Sequence, residues 1–449
     1  MPSPGILLCT VGTGHFDDLR RTLLDPLKKS ILHGTWKKVV LLPSQLTQEH
    51  ARLLRDELKD QPIELRELSE PHAEDNVDLC FSHFDRILTE NKKALLAGES
   101  IQVDFTRGTK AMSAALVLAA IRHELPELRY IYSKDRDERG AVRPGTEIVG
   151  SFCTSIIIAQ KRCDDALQFF RHGHFAAASD IMPAEHEDYT WPGEFKLLVE
   201  QIRRLSQYYA AWDRLDYKEA HAIELPDVYS LPPAWQPFCP DQKIRQWIQT
   251  LSEPFPDAFP ARAVYVRHLL TDLCANGERR LRDHHYEDAV IRAYRTLELI
   301  GQARLFDKHL DSSSLPPDHP DVKAFQEELL ADRSQEPLTK KKNKYYQAPR
   351  EKVARLLKRM NDPLADSLLK LGKHSAGNLK LIKRNDSILI HGFESIAGND
   401  AKPIKDLLKL LEEQIFLDNP FHAADWFAMA RWLDFSRLER RDRPAKNGI

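Results

Sequence analysis

A Rossmann-like α/β unit at the N-terminus followed by two all-α segments is the architecture this chain predicts, and two patterns predict it. Over residues 5 to 158, short runs rich in Val, Ile and Leu alternate with longer amphipathic stretches. From Asp164 onward the short runs stop and helical spacing takes over. Strands that alternate with helices build an open parallel sheet covered on both faces, because each parallel connection has to cross over the sheet. The 449 residues suffice for two or three domains. The expected division is 1–158 for the α/β unit, 159–262 for a helical connector and 263–449 for a second all-α domain.

Taken in order, the strand-like runs are Ile6 to Val11, Val39 to Leu42, Ile63 to Leu68, Ile101 to Phe105 and Leu128 to Tyr132. Helical periodicity falls between them at Gln48 to Leu58, Val77 to Leu96 and Ala111 to Leu125. Arg143-Pro144-Gly145 reads as a turn, and the extended run from Glu147 to Ile158 then closes the sheet as a hairpin. The connector carries helices over Asp165 to Phe170 and Glu194 to Trp212, interrupted by the proline-rich stretch Leu231 to Pro237. The last segment runs helical from Ala263 to about Leu310, passes through Ser312 to Pro317 and resumes at Glu351. In it, Val290, Ala293, Tyr294 and Leu297 recur at core spacing.

Charge narrows the function classes. Lys plus Arg number 65 against 67 for Asp plus Glu, so no global field draws nucleic acid to the molecule. A local one can: between Lys340 and His391 fourteen basic residues face four acidic ones. Within that stretch Lys340 to Lys344, beside Tyr345 and Tyr346, reads as an exposed loop in preference to an RNA-gripping element. The six cysteines are scattered with no Cys-x-x-Cys, which argues for reduced thiols and against a zinc site or a disulfide framework. No apolar run reaches the length of a membrane span, and the first residues lead into a strand without a basic leader. A soluble, cytoplasmic protein is the expectation.

Three motifs carry chemistry. Arg384 and His391 lie seven positions apart in Arg-Asn-Asp-Ser-Ile-Leu-Ile-His, followed by Gly392. On a helix Arg384, Ser387 and His391 fall on one stripe, about 10 Å from end to end, while Ile388, Leu389 and Ile390 supply burial. An imidazole that moves protons near neutral pH and a permanent guanidinium suit cleavage of a phosphodiester. The other two motifs follow the first and fourth strands: Thr10-Val11-Gly12-Thr13-Gly14 and Asp104-Phe105-Thr106-Arg107-Gly108-Thr109-Lys110-Ala111-Met112. Open α/β sheets bind ligands at those strand ends. Glycines admit close approach, threonines add donors, and Lys110 opens a helix whose N-terminus favours anions. Gly12-x-Gly14 has Asp17 where a dinucleotide fingerprint needs glycine, and Gly108-Thr109-Lys110 lacks the earlier glycine of a P-loop. Hydride transfer and NTP hydrolysis both lose support. Asp104 and Thr106 can equally serve as turn caps.

Arg384, Asn385 and His391-Gly392 resemble the Arg-x(4 to 6)-His motif of HEPN ribonucleases, with Tyr286 to Glu298 similar to a long helix of that domain. The two N-terminal motifs resemble the CARF domain of CRISPR-associated proteins, over roughly the first 155 residues. Together the likeness is to CARF-HEPN ribonucleases of type III CRISPR systems. It implies a homodimer whose CARF domains hold one cyclic oligoadenylate through Thr10, Gly12, Thr13, Gly14, Thr106, Arg107, Gly108, Thr109, Lys110 and Met112. It further implies single-stranded RNA as substrate, His391 for proton transfer, Arg384 for the phosphate and Asn385 for orientation. No metal or other cofactor is expected, and the products would be a 2′,3′-cyclic phosphate or its hydrolysed form and a 5′-hydroxyl. Two other readings stay open: a ring-nucleotide-binding regulator with a non-catalytic HEPN scaffold, and a CARF domain that cleaves its own ring.

Overall fold

The computed structural model describes residues 5–435 apart from 15, 92–99, 137, 139–141, 144, 186–190, 333, 341–343, 374–395, 397, 399 and 400. The chain divides into two compact units, one of Met1–Asp164 with Ala184–Leu197 and one of Asp165–Pro183 with Leu198–Ile449.

In the first unit β1 (Gly5–Val11) is buried at every position, as befits a strand with helices on both faces. It pairs in parallel with β2 (Trp36–Pro43) on one side and β4 (Ile101–Asp104) on the other. With β3 (Ile63–Leu65), β5 (Glu127–Tyr132) and β6 (Ile148–Cys153), the order across the sheet is β3-β2-β1-β4-β5-β6. Only β6 runs antiparallel among these described strands, with Leu128 opposite Phe152. Alternation along β1 feeds two cores. Leu7, Cys9 and Val11 pack with Leu27 and Ile31 of α1 (Asp25–Leu32) and Ala51 and Leu54 of α2 (Gln48–Glu57). Ile6 and Leu8 pack with Phe84 and Ile87 of α3 (Val77–Glu90) and Ala115 and Leu116 of α4 (Lys110–Arg122).

Two expectations change here, and one element is new. Residues 20–32 form a π-helical turn running into α1, and Pro26 is accommodated because it sits in that helix's first turn. The strand after β2 ends at Leu65, before Leu68. The extended run expected to Ile158 stops at Cys153, and α5 (Ser155–Arg171) begins instead. An isoleucine run satisfies either period, and the switch is made by Thr154: its N–H reaches the Pro126 carbonyl at 3.0 Å while its own carbonyl accepts from Ile158 at 3.0 Å.

The second unit is helical. After α6 (Phe175–Asp180), α7 (Gly193–Asp213), α8 (Tyr217–Ala222) and α9 (Gln242–Ser252) come two long helices, α10 (Phe259–Arg282) and α11 (Tyr286–Asp307). The helical run expected from Ala263 to Leu310 is thus broken, at a turn where His284 takes φ 63°. Val290, Ala293 and Leu297 are buried as their spacing predicts. α12 (Pro320–Ala331), α13 (Arg350–Arg359), α14 (Ala365–Lys373), α15 (Ala401–Asp418) and α16 (Ala423–Ala430) share the same core. The flanks of the lysine run pair as a small ladder, β7 (Thr339–Lys340) with β8 (Tyr346–Gln347); residues 341–343 lie outside the described residues.

Buried ion pairs also link the helices of this unit. Asp418 and Asp362, with side chains 1% and 0% exposed, receive Arg304 at 3.1 and 2.9 Å, and Arg267 reaches Asp418 at 2.7 Å. Fully buried Asp272 accepts from the Trp212 indole at 3.0 Å and the Tyr217 hydroxyl at 2.7 Å, and burial raises its carboxyl pKa despite nearby Arg279. Among the described residues no helix is long and apolar enough to cross a membrane.

Candidate functional site

The order of the sheet turns back between β1 and β4, whose C-terminal ends lie side by side with Cys9 opposite Asp104. That is the crevice in which sheets of this kind receive ligands. The two loops leaving these strands touch, and glycine is what permits it. A Cβ on Gly12 would stand 2.3 Å from the Arg107 carbonyl oxygen, and one on Gly108 would stand 2.8 Å from the Met112 Cβ and 2.9 Å from the Thr10 Cβ. Gly14 has φ +64°, which a side chain would strain.

Side chains beneath the loops hold their shape. Asp104 is fully buried; its Oδ1 accepts from the Thr106 N–H at 3.0 Å and its Oδ2 from the Ser30 hydroxyl at 2.6 Å. The Thr106 hydroxyl accepts from the Ile131 N–H at 2.8 Å. Thr109 caps α4, accepting from the Met112 N–H at 3.1 Å and donating to the Glu74 carbonyl. Below Val11 and Gly12, the Thr47 hydroxyl donates to the Val11 carbonyl at 2.8 Å and His50 Nδ1 donates to the Gly12 carbonyl at 3.2 Å. Thr10 and Met112 are buried, Met112 within the core shared by α3 and α4, so its side chain shapes the floor. Thr13, Gly14 and Lys110 are exposed, while Thr106 to Thr109 are partly so.

The electrostatics of this rim are positive over a buried carboxylate. Arg107 is pulled below its ordinary pKa by burial, with Glu147 and Asp104 opposing that pull, and its Nε has no hydrogen-bond partner among the described residues. The N–H groups of Lys110 and Ala111, in the first turn of α4, have no acceptor within the helix. A bound anion at this helix start would meet those amides beside the exposed Lys110. Sequence reasoning missed Ser30, His50 and Glu74, which hydrogen-bond to Asp104 and the loops from other elements, and Arg129 and Glu147, whose charges neighbour Asp104 and Arg107. Arg129, 4% exposed, is the neighbour of Asp104 across the β4–β5 register and lies over the Trp36 ring at 5.1 Å. A charged residue in an otherwise apolar strand was its only signal.

Arg384, Asn385 and His391 lie outside the described residues, as does Ser387. The chain on either side is described: α14 leads in, and beyond the motif the Ile396 N–H donates to Glu287 of α11 at 3.3 Å. Of the basic residues near the motif, Arg355, Lys358 and Arg359 meet in a cleft of about 730 Å³, where Glu328 and Glu351 also lie. Among the described residues no group of three His, Cys, Asp or Glu side chains is placed to hold a metal ion.

The class defined so far is an α/β unit with a ligand crevice joined to a helical unit. Residues 261–415 match the model of the Csm6 HEPN domain. The fold is similar to that of Csm6 from Enterococcus italicus, bound to cyclic hexa-2′-fluoro-hexa-dAMP, at 13% identity and TM-score 0.54, covering 96% of this chain and 100% of that one. Can2 from Sulfobacillus thermosulfidooxidans, in complex with cyclic tetra-adenylate, aligns over 60% of this chain and 66% of its own at 12% identity and TM-score 0.23, too loosely to bear on the fold. A search of the curated proteins finds no match. The match to the HEPN domain covers residues 261–415, and over the rest of the chain the likeness is one of fold.

Proposed function

We propose that the protein is a ribonuclease switched on by a cyclic oligoadenylate, which binds at the β1 and β4 loops of the α/β unit while RNA is cut in the helical unit. The observation that carries this reading is the match of residues 261–415 to the Csm6 HEPN domain in a chain whose α/β unit presents a phosphate-ready crevice. In outline the division into a sensor over 1–158, a helical connector over 159–262 and a nuclease domain over 263–449 belongs to the same proposal.

Chemistry follows from the residue types. In the proposed step the 2′-oxygen attacks phosphorus, a new O–P bond forms and the bond to the 5′-oxygen breaks. His391 takes the 2′-hydroxyl proton or delivers one to the leaving oxygen, and Arg384 stays on the phosphate as charge grows. A 2′,3′-cyclic phosphate and a 5′-hydroxyl result, without need of a metal. Two copies of the chain would give one even-membered ring two identical sets of loops, since a two-fold interface is self-complementary. Ring binding then favours the arrangement in which the nuclease site is competent.

The test is incubation of the purified protein with labelled single-stranded RNA, with cyclic tetra- and hexa-adenylate separately, in the presence of EDTA. Ring-dependent cleavage with cyclic phosphate ends is the expected result. Ring binding without cleavage would instead identify a regulator with a HEPN scaffold.

A further inference from the structure

The helical unit holds a second concave site, built by α9, α10 and the corner between α15 and α16. It is a cleft of about 560 Å³ whose lining includes Trp247, His268, His422, Asp425, Trp426 and Trp432. That volume is ordinary for a small-ligand site, and the concentration of flat rings is not. The His268 and Trp426 ring centres are 4.2 Å apart, and the His422 ring stacks on Trp426 at 5.7 Å with only 16° between planes. Trp247 closes on His268 at 5.0 Å. The Trp432 indole N–H donates to the Tyr209 hydroxyl at 2.7 Å, which fixes that ring from behind.

The polar groups among these rings mostly accept. His268 Nδ1 donates to the Val264 carbonyl at 2.9 Å, so in its neutral form Nε2 carries the lone pair. Burial lowers the His268 pKa, against the pull of the hydrogen bond to the Val264 carbonyl and with a smaller push from His422, which favours the neutral ring. Asp425 adds a carboxylate, whereas that of Asp241 is engaged in capping α9 through the Ile244 N–H at 2.9 Å. Lys243 stands exposed at the rim. A flat ligand with N–H donors on its edge and a negative charge behind it suits this set.

We propose that the cleft stacks one unpaired nucleobase carrying an exocyclic amine against the wall of His268, Trp426 and His422, with Lys243 beside its phosphate. The amine donates to Asp425 or His268 Nε2, and uracil, which has a single ring N–H and no amine, is the base least suited. A cationic ligand would also favour indoles, but Lys243 opposes it. The inference takes only the identity of the strand, RNA, from the proposed nuclease activity.

The test uses the full-length protein and non-cleavable 2′-O-methyl hexacytidylate, chosen because it lacks the adenine of the activating ring, with hexauridylate beside it. Tryptophan fluorescence is titrated, and cleavage of a cytidine-containing RNA is followed under saturating ring. The cytidine oligomer should bind about fivefold more tightly than the uridine one, within the roughly two- to tenfold that one net hydrogen bond, here the amine's, contributes. Trp426→Ala and His422→Ala should erase that preference and raise KM about fivefold with kcat within twofold, and Trp426→Phe should restore it. Should the parent cut no RNA yet show this preference and lose it in Trp426→Ala, the base site stands while the nuclease reading falls. Equal binding of the two oligomers overturns the proposal. So does quenching by tetramethylammonium alone, or a change of oligomeric mass in Trp426→Ala that leaves cytidine binding intact.

Discussion

Single residues carry the sharpest consequences. Replacing Arg384 or His391 by Ala should cost at least about a hundredfold in RNA cleavage, the scale of losing one proton-transfer or charge-stabilising group. Fold and ring binding should persist, and an active variant of both would remove these two from the site. Lys110→Ala takes one exposed cation from each copy at the crevice rim. Ring affinity should weaken by about 1.5–3 kcal/mol per lost charge-assisted contact, read by calorimetry, with ring-free cleavage unchanged. Asp272 offers a test by pH. Because its folded pKa is raised by burial, the folded protein holds this proton where the unfolded chain has released it. Its contribution to stability is therefore fullest below the unfolded carboxylate range and diminishes as pH rises through the folded value. Asp272→Asn keeps the shape and removes the titration, so the fall in Tm with rising pH should flatten; an unaltered slope would assign that dependence elsewhere.

At the scale of elements, the two ligand loops behave as one piece because each glycine makes room for the other loop. Gly12→Ala places a methyl 2.3 Å from the Arg107 carbonyl, backbone against side chain, and something has to move. Overpacking of this kind costs about 1–3 kcal/mol, visible as a lower urea midpoint, and ring binding should weaken along with it. A variant as stable and as tight as the parent would mean the loops part freely. This packing also marks what sequence could reveal. Gly12, Gly108 and Lys110 were legible because loop chemistry is local, and the buried periodicity of β1 and α11 was legible because it repeats. Arg129 and Ser30, which brace Asp104, were not, since their partners come from distant parts of the chain. Thr109 and Met112 were legible as members of the same loop, where Thr109 caps its helix and Met112 packs into the core; their contact with a ring belongs to the proposal. Ile156 and Ile157 illustrate the opposite difficulty, because an apolar β-branched pair carries no period of its own and only the preceding Thr154 contacts decide for helix.

For the molecule as a whole, net charge near zero means that the proposed capture of RNA would depend on local clusters. The alternative in which Lys340 to Lys344 grip RNA predicts that changing Lys340, Lys341, Lys342 and Lys344 to Ser raises the RNA concentration for half-maximal rate and flattens its dependence on salt, because fewer counterions are released; the exposed-loop reading predicts no change. The maximal rate under saturating ring should stay the same. A salt slope identical to the parent's would turn attention to Arg355, Lys358 and Arg359, although Glu328 already engages Arg359 at 3.0 Å and Asp366 engages Lys358 at 2.8 Å.

The pairing of β1 with β4 sets a clock as well as a shape. Ile6 waits for Ile101, and Cys9 for Asp104, before the central strand has its second neighbour. The α10 and α11 pair, by contrast, closes over a turn of three residues. Closing a loop as long as the one between β1 and β4 costs chain entropy before any contact repays it, and folding rates fall as such separations grow. During synthesis the apolar first strand therefore emerges long before its partner exists, and the crevice between the two is among the last features of the α/β unit to form. Refolding watched through Trp36, which packs on this sheet, should then lag behind refolding watched through helix formation. The readiness to bind a ring would appear on the slower of those two timescales.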